Sequence, residues 1–167
     1  MNKLILLILI ALFSLPAFGQ KTPTHSNYKV TVEKATAQKI NLASHRKANQ
    51  FRTNLKEALA EGKINFAGKF IIAEWGCGSG CTQAAISDAQ TGKVFFPDVL
   101  WQVIAGDISL GEREMLEYKK DSRLLIIAGY GGMNGGDSDK FQHGIFYLEW
   151  TGTNFKLLKF IKKPISK

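Results

Sequence analysis

The chain has 167 residues, 45% of them hydrophobic and 22% charged, with a formal net charge of +8 at pH 7. This length fits one domain with a core that does not depend on cross-links. No run of lysine and arginine exceeds two residues and no basic stripe is interleaved with aromatic residues, so we expect no nucleic-acid partner.

Charge is unevenly distributed along the chain. Residues 71–118 contain seven acidic and two basic residues, whereas the segments on either side are basic. This pattern is compatible with an anionic partner, or with a solvated exterior in which the basic arms attract the acidic middle.

The first 19 residues have the layout of a secretory signal peptide. Lys3 provides the positive start, Leu4 to Leu12 is apolar throughout, and Ala17 to Gly19 supplies the small-residue end. The apolar run is shorter than the roughly 20 residues that a transmembrane helix needs. We therefore predict cleavage after Gly19, export to the periplasm or out of the cell, and no transmembrane span in the mature chain.

Residues 20–27 are predicted to form a flexible mature N-terminus, and residues 28–167 a single globular domain. The alternation of apolar and polar residues from Tyr28 to Lys34 predicts a half-buried strand. Between Ser44 and Gly62, apolar residues recur every three or four positions and predict one amphipathic helix. Ser44 is its expected N-cap, and Gly62 is expected to follow its last turn.

Beyond Asn65 the sequence is rich in β-branched and aromatic residues, with glycine-bearing turns at intervals of about ten residues. Three pairs of adjacent strands are expected, with turns at Gln90-Thr91-Gly92, Asp121-Ser122 and Thr151–Asn154. The run at 123–129 is the most continuously apolar and is expected to be a central strand. The sequence predicts an α+β fold: an antiparallel β-sheet meander of about six to eight strands, with one N-terminal amphipathic helix packed on it.

The segment Trp75 to Cys81, WGCGSGC, contains both cysteines of the chain. An oxidising compartment favours a Cys77–Cys81 disulfide. Four extended residues exceed the Cα separation of a disulfide, so the loop must fold back, and Gly76, Gly78 and Gly80 permit this. Closing so small a ring stabilises a protein by only about 2 kcal/mol in the chain-entropy model, so the bond is expected to shape a loop.

Three other chemistries remain open for the cysteines. A redox-active pair is one, although the spacing is longer than Cys-x-x-Cys and strands flank it. A cysteine nucleophile with His143 or His45 as base, and glycine amides as oxyanion hole, is another. Structural zinc lacks a second pair of ligands.

A second glycine-rich segment, GYGGMNGGDSDK at 129–140, carries oxygen ligands suited to Ca²⁺ at Asn134, Asp137 and Asp139. Their order does not match the EF-hand loop or the glycine-aspartate nonapeptide. A surface loop explains the composition as well, so these residues are weak metal candidates, and we predict no metal or other cofactor.

The run NFAGKFIIAEWGCGSGC, Asn65 to Cys81, resembles a family of small exported bacterial proteins of uncharacterised activity. These proteins share an Asn-Phe-Ala-Gly segment, an apolar strand and a Trp-Gly-Cys-Gly-x-x-Cys motif. The D-A-x-T-G-x-V segment at 88–94 and the aromatic hairpin at 146–158 are similar too. The resemblance implies export and a single domain, and it implies no activity, cofactor or catalytic residue.

The leading expectation is an exported, non-enzymatic binding or interaction domain with a disulfide-rigidified loop. The loop would present Trp75 or its neighbours to an envelope or extracellular partner, and no catalytic residue is assigned. One alternative is a cell-envelope enzyme that uses Cys77 and Cys81 for thiol-disulfide exchange or cysteine-nucleophile hydrolysis. Another is a structural envelope protein. The predicted binding loop comprises Trp75, Gly76, Gly78, Ser79 and Gly80.

Overall fold

A computed structural model describes residues 21–106, 114–131 and 142–164. In these ranges the chain forms one α-helix, three short 3-10 turns and a single antiparallel sheet of eight strands. The helix α1 spans Arg52–Ala60, and the strands are β1 Phe70–Gly78, β2 Cys81–Asp88, β3 Val94–Phe95, β4 Val103–Ala105, β5 Leu116–Tyr118, β6 Leu124–Gly131, β7 Gln142–Trp150 and β8 Phe155–Lys162. The 3-10 turns are His25–Tyr28, Leu42–Ser44 and Asp98–Leu100. The α+β class and the antiparallel sheet are confirmed.

The strand order corrects the predicted meander. The main path is β1-β2-β4-β6-β7-β8, while β3 pairs with β2 and β5 pairs with β6. Both β3 and β4 lie on the same edge of β2, β3 near Ser87 and β4 near Cys81. Pro97 and the 3-10 turn Asp98–Leu100 divert the chain between them. The prediction for 123–129 is confirmed, because β6 has neighbours on both edges.

The helix is shorter than predicted and is not N-terminal, because residues 21–51 precede it without an α-helix. Ser44 does not cap it. Its hydroxyl donates to the carbonyl of Asn41 at 2.6 Å and accepts from the N–H of Val94 at 2.9 Å, which ties the 3-10 turn to β3. The predicted packing of the helix on the sheet is confirmed, since Leu55 and Leu59 are buried in one cluster with β1 and β2.

The segment Tyr28–Lys34 was expected to be a strand, and this prediction is wrong. Its main chain bonds to turns instead of a neighbouring strand: Val30 N–H donates to Asp121 O at 2.9 Å, and Glu33 N–H donates to Gly68 O at 2.7 Å. The alternation is not matched by burial throughout, since the side chain of Val32 is exposed. The flexibility predicted for 20–27 stays a prediction.

The main core lies on one face of the sheet, which curls around it. Rings from β1, β3 and β7 meet there: Phe70 and Phe95 lie 5.4 and 5.6 Å from Trp150, measured between ring centroids. All three pairs of predicted neighbouring strands form as hydrogen-bonded pairs. At the first turn Gly92 has φ +71°, and a Cβ there would lie 2.2 Å from Lys39 O, which explains the glycine.

The Asn-Phe-Ala-Gly segment that carries the resemblance is a structural anchor. The amide of Asn65 accepts from Ile72 N–H at 2.8 Å and donates to Ile72 O at 3.0 Å. Phe66 is fully buried in the main core. The N–H of Gly68 donates to Lys120 O at 2.7 Å, which fastens the start of β1 to the turn between β5 and β6.

Candidate functional site

The cysteine segment forms the tip of the β1–β2 hairpin. Gly78 pairs with Cys81, so Ser79 and Gly80 make a two-residue turn, and the register shifts between Gly76 and Gly78. Gly80 has φ +64°, a left-handed conformation that glycine adopts without strain. The Cα atoms of Cys77 and Cys81 are 5.1 Å apart and their sulfurs are bonded, which confirms the predicted disulfide.

The tip is exposed and is fixed at two points. Gly76, Gly78, Ser79 and Gly80 are exposed, while both cysteines are half-buried. Besides the disulfide, the carbonyl of Gly80 accepts a 2.7 Å hydrogen bond from the N–H of Ala105 on β4. An exposed loop with this little freedom can meet a partner without a large ordering cost.

Trp75 is half-buried at the base of the tip and is fixed in place. Its ring stacks on Phe51 with 4.7 Å between centroids, and its indole N–H donates to Gln83 Oε1 at 3.0 Å. The other four predicted loop residues stand at or beside the turn, whereas Trp75 belongs to a neighbouring group of rings.

We call that group the aromatic patch: the half-buried rings of His45, Phe51, Trp75, Phe96 and Trp101. Phe51 is its centre, with Phe96 at 5.8 Å and Trp101 at 6.0 Å. The sequence prediction missed this cluster because its members come from separate parts of the chain.

One cation covers part of the aromatic patch. The ammonium of Lys47 lies 3.4 Å from the centroid of Trp101, a cation–π contact. Partial burial, followed by the neighbouring charge of Arg46, lowers the pKa of Lys47, while Asp98 acts in the opposite direction. Burial, then Lys47 and Arg46, also lower the pKa of His45, which keeps its imidazole neutral near pH 7.

The two histidines considered as bases make their ring contacts and hydrogen bonds with residues other than the cysteines. Cys81, Ile104, Tyr130 and His143 are aligned across four strands, which places His143 roughly 14 Å from Cys81 at the usual strand spacing. His143 is buried against the Tyr130 ring, and its Nδ1 lies 3.1 Å from Lys163 O. His45 packs on Phe96, and its Nδ1 accepts from the N–H of Lys47 at 3.1 Å.

The weak metal candidates Asn134, Asp137 and Asp139 lie outside the described residues, as does the predicted signal peptide at 1–19. Within 21–106, 114–131 and 142–164, no group of three or more histidine, cysteine, aspartate or glutamate side chains is arranged to hold a metal ion. The calcium hypothesis stays a prediction.

A groove beside the hairpin was also missed. It has a volume of about 340 Å³ and runs between α1 and the open edge of β1. Its lining includes the acidic residues Glu57 and Glu61 from the helix end, Glu74 from β1, and one lysine, Lys63. The acidic composition of 71–118 was the available signal for part of this surface, but the two helix carboxylates lie outside that segment.

Comparison of the chain with protein-family models, with curated proteins and with solved structures finds no match. In the part of the chain that the structure describes, no helix is long and apolar enough to cross a membrane. Function is therefore assigned from the geometry of the site, since a fold alone does not specify an activity.

Proposed function

We propose that this protein is an exported, non-enzymatic binding domain that recognises an envelope or extracellular partner through the tip of its β1–β2 hairpin. The observation that carries the proposal is that the tip is exposed to solvent and is also conformationally restrained. The disulfide closes it, and the Gly80–Ala105 hydrogen bond fixes it to β4. A loop that only connects two strands needs neither restraint.

The composition of the tip supports recognition by close contact. Gly76 and Gly78 have nothing within 4 Å of the position that a Cβ would occupy, so a partner can approach the main chain there. The aromatic patch next to the tip adds half-buried rings, among them Trp75 and Trp101, and tryptophan is a residue type enriched among those that contribute most binding energy at protein interfaces. Tip and patch together form a surface with a rigid polar part and an apolar part.

The experiment that tests the proposal is site-specific photo-crosslinking in the exporting cell. A photoreactive residue replaces Ser79 at the tip, and in a matched control it replaces Lys120, an exposed residue in the turn at the other end of the sheet. We expect one discrete adduct from position 79 and none from position 120. The adduct should weaken strongly in the Cys77→Ala/Cys81→Ala variant.

Three results would count against the proposal. Equal labelling at both positions, or none at either, removes the tip as a recognition element. Catalysed thiol-disulfide exchange or hydrolysis that disappears in the double cysteine variant favours the enzyme. Intact mass tests the predicted cleavage site separately, because a mature chain that does not begin at Gln20 contradicts cleavage after Gly19.

A further inference from the structure

The outer edge of β1 is only partly occupied by the chain itself. β1 is the first strand of the sheet, with β2 as its one neighbour. Phe70 turns its main-chain groups away from β2, toward Phe66, with hydrogen bonds of 2.9 and 3.0 Å. Ile72 turns the same way and bonds to the Asn65 side chain. Main-chain direction alternates along an antiparallel strand, so Glu74 and Gly76 also face outward.

The side chain of Asn65 imitates a neighbouring strand. It accepts from the N–H and donates to the C=O of one residue, Ile72, as the peptide groups of a paired strand do. The edge is thus completed at Phe70 and Ile72. Among the residues that the structure describes, Glu74 and Gly76 have no main-chain partner on that edge.

The groove beside this open edge is acidic, and two of its acidic residues destabilise the helix α1 that forms one wall. Glu57 and Glu61 are exposed and four residues apart, and they lie at the C-terminal end of α1. Like charges at that spacing repel, and the helix dipole disfavours carboxylates at that end. A local arrangement that weakens its own helix is expected where the residues serve a binding site.

We propose that β1 is the docking edge for an extended segment of a partner protein that carries lysine or arginine at alternate positions. The segment adds to the sheet as a strand, bonding to the main chain of Glu74 and Gly76, in the way that extended peptides add to exposed sheet edges. Because side chains at alternate positions of a strand share one face, its basic side chains all lie on the helix side, where they meet Glu57 and Glu61. This inference rests on the proposed function and specifies the class of partner.

The probe is the peptide acetyl-Lys-Val-Lys-Val-Lys-Val-Lys-amide, and its control is the same peptide with glutamate in place of lysine. Amide exchange is followed by NMR in the mature, oxidised protein. We expect the amide hydrogens of Glu74 and Gly76 to exchange quickly in the free protein and slowly with the lysine peptide. Those of Ala73 and Trp75, which bond to β2, should exchange slowly throughout. The glutamate peptide should give no protection.

Two sets of variants separate the main-chain and charge contributions. Gly76→Pro removes an N–H that faces solvent, which an edge strand tolerates, and should weaken peptide affinity about tenfold or more, whereas Gly76→Ala should retain it. Glu57→Gln/Glu61→Gln should also weaken binding about tenfold. Its control, Thr53→Lys/Ala60→Lys, changes the net charge equally on exposed residues of the same helix that do not line the groove. Circular dichroism checks that each variant is folded.

Several results would overturn the inference. Equal binding of the glutamate peptide, protection outside β1, or full affinity of a folded Gly76→Pro variant would each do so. Self-association of the free protein that Gly76→Pro abolishes would assign the edge to a second copy instead. An adduct at position 79 with no peptide protection removes this inference alone, whereas protection without an adduct removes the tip as the recognition element and leaves the edge.

Discussion

The hydroxyl of Tyr118 on β5 donates a 2.6 Å hydrogen bond to the carboxylate of Glu74 on β1, although the two strands are not neighbours in the sheet. The contact spans the open side of the curled sheet, close to the main core, with which the Tyr118 ring packs. Burial of the hydroxyl, then its hydrogen bond to Glu74 and the charge of that carboxylate, raise the pKa of Tyr118 well above its ordinary value.

Tyr118→Phe is expected to lower the free energy of unfolding by about 1–2 kcal/mol near neutral pH, because it removes a hydrogen bond to a charged group. The tyrosine pKa is raised in the folded state, so this contribution is complete below about pH 10 and is lost as the pH rises above it. Urea unfolding of both proteins at about pH 8 and pH 11 measures the difference. A difference that does not shrink at the higher pH would contradict the assignment.

Asp88 should stabilise the turn after β2 in the opposite pH range. Burial opposes its ionisation, but the N–H groups of Gln90 and Thr91, at 2.8 and 3.1 Å, and the ammonium of Lys69 at 3.1 Å lower its pKa overall. Asp88→Ala should therefore cost about 2 kcal/mol near pH 6.

The cost of Asp88→Ala should fall as the pH drops below about 4, through the depressed pKa of the folded state. Denaturant unfolding at about pH 6 and pH 2.5 gives the comparison, with Glu57→Ala on the exposed face of the helix as control. Equal costs for Asp88→Ala at the two pH values would show that the carboxylate is not the stabilising group.

The double variant Cys77→Ala/Cys81→Ala should remain folded and lose no more than about 2 kcal/mol of unfolding free energy, because the ring it opens is small. The Gly80–Ala105 bond and the pairing of β1 with β2 do not depend on the sulfurs. Urea unfolding, with reduced wild-type protein as the control, measures the loss. Loss of cooperative unfolding would show that the disulfide supports the whole sheet.

Asn65→Ala should destabilise the protein by about 2 kcal/mol, because it leaves the N–H and C=O of Ile72 without their partner. Asn65→Asp retains the acceptor but places a carboxylate against the Ile72 carbonyl, so it should destabilise more at neutral than at acid pH. Thermal unfolding and the exchange rate of the Ile72 amide test both variants. An unchanged exchange rate in Asn65→Ala would mean that the amide does not close this edge.

Local signals predicted the parts of the fold that local chemistry determines. The turn at Gly92, the hairpin around Thr151–Asn154 and the Cys77–Cys81 bond each depend on residues within a few positions of one another. Tyr28–Lys34 was mistaken for a strand because alternation does not reveal what bonds to the main chain. Strand β4 was missed because three residues are too few to show the alternation of apolar and polar residues that indicates a strand.

The candidate site was also only partly predictable from the sequence. The exposed tip follows from the spacing of cysteines and glycines. The aromatic patch and the acidic groove require the fold, since Phe51 meets Trp75, and Glu57 meets the edge of β1, only after α1 packs on the sheet. These contacts join residues that are distant in sequence, so no local sequence pattern predicts them.

The three-residue strand β4 connects the hairpin tip to the junction between two parts of the sheet. Within the described residues, β4 is the strand that joins β2 to β6, through two residue pairs on each side. The Gly80 carbonyl is bonded to this same strand. The tip is therefore bonded to the short strand through which the two halves of the sheet are joined. A partner bound to the tip should hold the two halves together and slow amide exchange at Ile104, which pairs with Cys81, and at Tyr130, two strands away from the tip.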